Sequence, residues 1–263
     1  MDIKSREKIA IEAAKQTGKL LKENFGKSLN IQGKEDRSLV TNIDLKAEKA
    51  IIQLIKENYP EDGILSEESQ EQFSNSDYKW IIDPLDGTHN YIHKIDIFGV
   101  SIALAFKQEV ILGVIYIPLS DELYLAQKNG GAYLNQEEIN VSKRTLSETT
   151  LIFDSSIRYQ KKSMLACLDR VTNEVFNIRM FGSTARSLTY IAEGRADLEI
   201  EYNDKVWDFA AGLLLIEEAG GKVSDLKGKK WSLNSQGYVA SNGIMHEEVL
   251  KIISFISDTI RIS

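Results

Sequence analysis

Trp80-Ile81-Ile82-Asp83-Pro84-Leu85-Asp86-Gly87-Thr88 opens as a short buried strand and then turns abruptly. Pro84 has a fixed φ and no N–H to continue a ladder, so the strand is expected to end at Asp83. Asp86-Gly87-Thr88 then reads as a tight turn feeding a short helix through His93. Two carboxylates three residues apart on a sharp turn repel each other if left alone. A divalent cation removes that repulsion, and hard oxygen ligands suit Mg²⁺. The N–H groups of Gly87 and Thr88, at a helix start, could hold a phosphate oxygen. The competing reading is a plain hydrogen-bonded turn, since Asp and Gly are common turn residues.

Upstream of this corner, Ile9, Ala13, Ala14, Leu20, Leu21 and Phe25 form an apolar stripe at helical spacing. Gly26 and the polar stretch 28–38 read as a loop. Residues 30–40, containing Gly33, Lys34 and Asp36, are expected to order over the corner when metal binds. Asp44 has the chemistry of an N-cap for the next helix, which turns Leu45, Ala47, Ile51, Leu54 and Ile55 inward. Downstream, Phe98-Gly99-Val100-Ser101-Ile102-Ala103-Leu104 and residues 110–117 look like paired strands joined at Lys107-Gln108-Glu109, with further strands near 122–126 and 131–134. After about Leu146, strand and helix candidates alternate, with strands at 151–153, 176–180 and 198–200. Helices start near Lys161, Thr184, Trp207 and His246. Mixed sheets layered with helices fit this order: an α+β chain, with lobes 1–146 and 147–263.

The 263 residues carry 39 acidic and 32 basic side chains, a formal net charge of −7. That balance is poorly suited to a nucleic-acid backbone, and no nucleic-acid polymer is expected as a partner. No signal peptide or membrane span is evident, so a cytoplasmic location is the default expectation. The single cysteine, Cys167, sits in an apolar helical stretch and reads as a small buried hydrophobe.

Other acids cluster at element ends. Glu67 and Glu68 follow the apolar Ile64-Leu65, and Asp208 begins an otherwise apolar helix, where it either caps the helix or ligates a metal. His89 and His93, spaced i, i+4, could form a zinc pair, but no glutamate follows His89 and a helix face is the plainer reading. An Asp-x-Asp phosphatase motif with a nucleophilic aspartate, a Walker-type loop and a Gly-x-Ser-x-Gly elbow are all missing.

Asp83-Pro84-Leu85-Asp86-Gly87-Thr88, with Glu67-Glu68 upstream and Trp207-Asp208-x-Ala210-Ala211-Gly212 downstream, resembles the inositol monophosphatase family. Gly182-Ser183-Thr184-Ala185, residues 192–197 and Glu218-Ala219-Gly220-Gly221 share the resemblance, which runs in order over nearly the whole chain. It implies a layered α-β-α-β-α sandwich and hydrolysis of a small phosphate monoester with two or three Mg²⁺ ions. Glu67, Asp83 and the Leu85 carbonyl would hold the first ion. Asp83, Asp86 and Asp208 would hold the second, and Glu67 would also reach a third, weaker one. Thr88 and Glu67 would orient the attacking water, with Asp44 behind Thr88; no phosphoenzyme forms. The resemblance also implies a homodimer and lithium sensitivity.

By the same resemblance, Asp86, Gly182, Ser183, Thr184 and Glu201 contact the substrate's hydroxyls, although an exposed strand-edge charge is the alternative for Glu201. Inositol 1-phosphate or a related sugar phosphate leads, with a nucleotide bisphosphate or fructose 1,6-bisphosphate behind it. Arg158, Arg179, Arg186 and Lys205 are the candidate anchors for a second phosphate. A phosphate-binding regulatory protein of the same fold is the non-enzyme alternative.

Overall fold

The structure, a computed structural model, describes residues 3–34 and 38–260. Asp36, named above for the polar loop, lies outside the described residues. The chain runs α1 (Ile3–Asn24), β1 (Ile31–Gly33), β2 (Leu39–Thr41), α2 (Asn42–Asn58), β3 (Gly63–Ser66), β4 (Tyr78–Asp86) and α3 (Thr88–Ile92). It continues through β5 (Gly99–Phe106), β6 (Glu109–Ile117), β7 (Glu122–Gln127), β8 (Gly131–Leu134), β9 (Glu137–Glu138) and β10 (Thr150–Phe153). The remainder is α4 (Lys161–Val171), β11 (Asn177–Arg179), α5 (Thr184–Ala192), β12 (Leu198–Glu201), α6 (Val206–Glu218), β13 (Lys222–Asp225), β14 (Tyr238–Ser241) and α7 (His246–Ile260).

Two larger sheets result. One holds β3 to β9 in sequence order, antiparallel except for the parallel β3–β4 pair; the other has the order β11-β10-β12-β14-β13. Three apolar cores separate five layers. The first lies between α1, α2 and the seven-stranded sheet, the second around α5 and α6 between the two sheets, and the third between the five-stranded sheet and α4, α7. This is the expected α-β-α-β-α sandwich. Helix α6 is apolar almost all round because it is covered on both sides. It lies so close to β6 that a Cβ on Gly113 would come 2.7 Å from the Ala211 carbonyl oxygen.

Several local readings are corrected. The stretch read as a loop contains the β1–β2 hairpin, whose strands of three residues are too short to show a period. Strand pairing does not stop at Asp83. It slips once and resumes at Asp86, three steps on β4 opposing two on β5. Pro84 sits inside that bulge, where a missing N–H breaks no ladder bond. Thr41, not Asp44, is the N-cap of α2; Asp44 occupies the third helical position and accepts the Thr41 N–H at 3.0 Å. Glu201 is no exposed edge charge, because β12 is flanked by β10 and β14 and the side chain is buried. Cys167 is buried in the third core, as expected.

The start of α1 is pinned by one charged clamp. Arg6 lies between the rings of Tyr59 and Tyr78, 4.1 and 3.8 Å from their centroids, and bonds both oxygens of Asp62. Asp62 is buried and also accepts from the Trp80 indole N–H and the Ser76 hydroxyl, both at 3.0 Å. Removing the guanidinium would leave a buried carboxylate without its counter-ion. Arg6→Ala should therefore cost about 3 kcal/mol in urea unfolding, and Arg6→Lys should recover only part of it, because an ammonium cannot fork or stack. A loss within about 0.5 kcal/mol, ordinary for a surface change, would show that the clamp holds nothing.

Candidate active site

The bulge in β4 determines how the corner is built. Asp83 turns back so that its Oδ1 accepts the Leu85 N–H at 3.0 Å, and Gly87, at φ 85°, starts α3. No side chain fits there, since a Cβ on Gly87 would meet the Ile97 carbonyl oxygen at 2.9 Å. Thr88 then points its hydroxyl at Asp44 Oδ1 (2.9 Å) and the Leu85 carbonyl (3.0 Å). Asp44 is thereby held between the Thr41 cap and Thr88, wholly buried.

Asp86 is fastened from across the molecule. Its oxygens accept the N–H groups of Thr184 (3.0 Å) and Ala185 (3.1 Å) at the start of α5, together with the Ser183 hydroxyl. Gly182 and Ser183 reach the corner a second way, since the Asn90 amide donates to the Phe181 carbonyl at 2.7 Å and lies near that of Gly182. Asp208 arrives on α6, whose first turn is drawn to β5 by the Ser101 hydroxyl on the Trp207 carbonyl (3.3 Å). Asp83 is the residue paired with Ser101 across the β4–β5 ladder. The Asp208 carboxylate also accepts the Lys205 N–H at 2.8 Å, so it caps the helix while facing the other acids.

Burial raises the pKa of every carboxyl in this group. Asp83 is pushed well up by desolvation, then by the charges of Glu67, Asp86 and Asp208. Asp208 is pushed well up by desolvation, then by Asp204 and Glu67. Glu67 is raised by desolvation, against which the Lys34 ammonium pulls it down. Asp86 reaches only about 6, because desolvation is opposed by its bonds to Ser183, Thr184 and Ala185. Asp204 rises to about 8, from desolvation and the Asp154 charge, against its bonds to Thr184 and Tyr238. Glu67, Asp83, Asp86 and Asp208 are thus brought together as mutual charge neighbours.

Lys34 lies 2.9 Å from Glu67 and 2.8 Å from Glu68, an ammonium on the outer carboxylates. Among the described residues, no three His, Cys, Asp or Glu side chains are drawn into a closed ligand array. The acids form an electrostatic group rather than a finished cage. The donor set nevertheless suits a hard divalent cation, being all oxygen and unbalanced in charge.

Glu201 lies to one side, its Oε1 taking the N–H groups of Tyr202 (3.0 Å) and Asn203 (3.1 Å). His89 and His93 are exposed and stacked at 4.2 Å, with His93 Nδ1 2.8 Å from the His89 carbonyl oxygen, so the plainer helix-face reading holds. Arg186 is not free to anchor a phosphate: it is buried, bonds Glu122 at 2.5 Å and stacks 4.0 Å over Tyr190. Arg158 stacks on its neighbour Tyr159, and Arg179 is turned onto Asn177.

Sequence reading passed over Glu48, and named Lys34 in the polar loop without giving it a partner. Glu48, one turn beyond Asp44, takes the Glu68 N–H at 3.2 Å and so fixes the loop carrying Glu67. The available signal was an acid at i+4 from Asp44 on the face of α2 that is otherwise apolar.

The inositol monophosphatase family model matches residues 2–258. A fructose-1,6-bisphosphatase/inositol-1-monophosphatase of Thermotoga maritima is 34% identical over 253 residues, covering 95% of this chain and 96% of that protein. An inositol-1-monophosphatase of Mesorhizobium japonicum is 38% identical over 251 residues, 93% and 94% of the two chains. The extragenic suppressor protein suhB of Bartonella henselae superposes with a TM-score of 0.91 at 34% identity, covering 95% of this chain and 98% of that one.

Because burial raises these carboxyls and a ligating carboxyl must be deprotonated, protons compete with magnesium and its affinity should rise with pH. Between pH 6 and 8 the apparent magnesium midpoint should fall by up to about tenfold per pH unit for each proton displaced, with proton release visible by calorimetry in two buffers. A pH-independent midpoint with no proton release would contradict the raised carboxyls.

Proposed function

The chain belongs to the inositol monophosphatase family, and from that premise we propose that it is a magnesium-dependent phosphatase of small phosphate monoesters, inositol 1-phosphate or a related sugar phosphate first. The observation that carries this reading is the group Glu67, Asp83, Asp86 and Asp208, buried or half-buried acids that, among the described residues, have only Lys34 paired with one of them. Glu67, Asp83 and the Leu85 carbonyl would hold one Mg²⁺ and Asp83, Asp86 and Asp208 a second, with Glu67 touching a third. Bound there, the ions would supply charge for the phosphoryl oxygens and the leaving group and would acidify the attacking water.

Other residues act on the water and the substrate. Thr88 gives its hydroxyl proton to Asp44, which leaves the oxygen's lone pairs to accept from a water. Glu67 stands on the opposite side of that water. The Gly87 and Thr88 N–H groups face the phosphate, while Asp86, Gly182, Ser183, Thr184 and Glu201 meet the alcohol. We take residues 1–146 and 147–263 as the two lobes, working in the cytoplasm as a homodimer. No helix among the described residues is long and apolar enough to cross a membrane.

A regulatory reading is the second choice, favoured by the suppressor name of the Bartonella protein. Asp83→Asn separates the two. The amide can still accept the Leu85 N–H, so the apo-protein should melt no lower than wild type. Phosphate release should fall by about a thousandfold, since the ligand shared by both ions is lost. Near-normal release in excess Mg²⁺ would rule out the bridging role. Magnesium-linked phosphate binding with no turnover in the wild type would favour the regulator.

A further inference from the structure

Resting on the hydrolase reading above, we propose that Glu48 is a positioning residue for the attacking water. Through it, helix α2 sets the distance between Thr88 and Glu67, the two groups on either side of that water. Glu48 is buried and lies one turn beyond Asp44, about 6 Å further along the same inward face of α2. Asp44 receives the Thr88 hydroxyl at 2.9 Å. Glu48 Oε1 receives the Glu68 N–H and the Ser69 hydroxyl, both at 3.2 Å. One helix thereby grips both groups, although Thr88 follows β4 and Glu67 follows β3.

The bend at residues 67–69 needs such a grip. Beyond Ser66 the chain is tied at its base by the Glu67 N–H on the Ile82 carbonyl (3.2 Å) and by the paired bonds of Ile64 and Gln72. Those bonds fix where the bend leaves and rejoins the sheet, not how far it stands from α2. Ser66 gives no help, its buried hydroxyl having no hydrogen-bond partner among the described residues. Lys34 bonds the Glu67 and Glu68 carboxylates themselves and so competes with a metal for Glu67. Glu48 instead takes a backbone N–H and a hydroxyl, which leaves the Glu67 carboxylate to ligate. Asp44 and Glu48 stand on consecutive turns of a helix anchored in the first core by Ile51 and Ile55, so neither moves without the other.

Glu48→Ala should untie the bend. In the metal-free full chain the Glu68 amide should lose its protection from hydrogen exchange, while β4 and α1 keep theirs. The magnesium midpoint read by calorimetry should rise about tenfold, and kcat for inositol 1-phosphate at saturating Mg²⁺ should fall about tenfold or more. KM for that ester should hold within about twofold, because the residues that meet the alcohol lie on other elements. Glu48→Gln, whose amide oxygen still accepts both bonds, should stay within about threefold of wild type, whereas Glu48→Asp, one methylene short, should behave like Glu48→Ala. If Glu48→Ala does not fold, Glu48→Gln against Glu48→Asp decides, with Ser69→Ala expected to give a smaller shift in the same direction. A Glu48→Asp equal to wild type overturns the proposal. So does a Glu48→Ala that melts lower but keeps the wild-type magnesium midpoint and kcat. No phosphate release by the wild type at any Mg²⁺ concentration sinks the hydrolase reading alone; exchange and the calorimetric midpoint, which need no turnover, then decide whether Glu48 positions Glu67.

Discussion

Mutual repulsion among buried carboxylates is the constraint around which the molecule is arranged. Asp83 and Asp86 lie on one strand, Glu67 at the end of its parallel neighbour, and Asp208 on a helix from the other half of the chain. Bringing these charges together opposes folding unless something else holds the elements in place. The apolar packing of α6 between the two sheets supplies that restraint, since the helix cannot withdraw Asp208 without uncovering both sheets. The fold thus holds the acids closer together than they would come freely.

Asp83, Asp86 and Asp208 are also held by polar contacts that do not neutralise them, whereas Glu67 is paired with Lys34. Asp86 takes two backbone N–H groups and a hydroxyl, Asp208 an N–H at its own helix start, and Asp83 the N–H of Leu85. These bonds fix direction and stabilise the ionised form while leaving oxygen lone pairs for a metal. Asp83 is pushed well above the ordinary range by desolvation and by the charges of Glu67, Asp86 and Asp208, whereas Asp86 reaches about 6 because three donors oppose its desolvation. Capping and ligation, posed as alternatives for Asp208, are compatible because a carboxylate has more acceptor positions than a helix end needs.

Most long elements were legible because their apolar residues recur with the period of a helix or a strand. The five layers followed from the order of those elements and the family resemblance. What escaped were features too short to show a period: the three-residue strands β1 and β2, the four-residue strands β13 and β14 of the second sheet, and the slip that carries β4 past Pro84. Pairing on the far side of a proline depends on a partner strand fifteen residues away, which no local window contains. Asp83, Asp86 and Asp208 stood out because each breaks into an apolar stretch, and Glu67 because it follows one at a strand end. Glu48 and the partners of Lys34 did not, since what each meets is a loop distant in the chain that no local window contains.

Glu201 shows how burial changes the meaning of a charge. On an exposed edge it would be screened by water and free of consequence. In the centre of the five-stranded sheet its Oε1 is fixed by two N–H groups, with Asp154 and Asp204 as near neighbours, so its electrostatic demand cannot be relaxed by solvent. Protonation is the remaining way to relieve it: burial, with Asp204, Asp154 and Glu199 beside it, raises the Glu201 carboxyl well above the usual range.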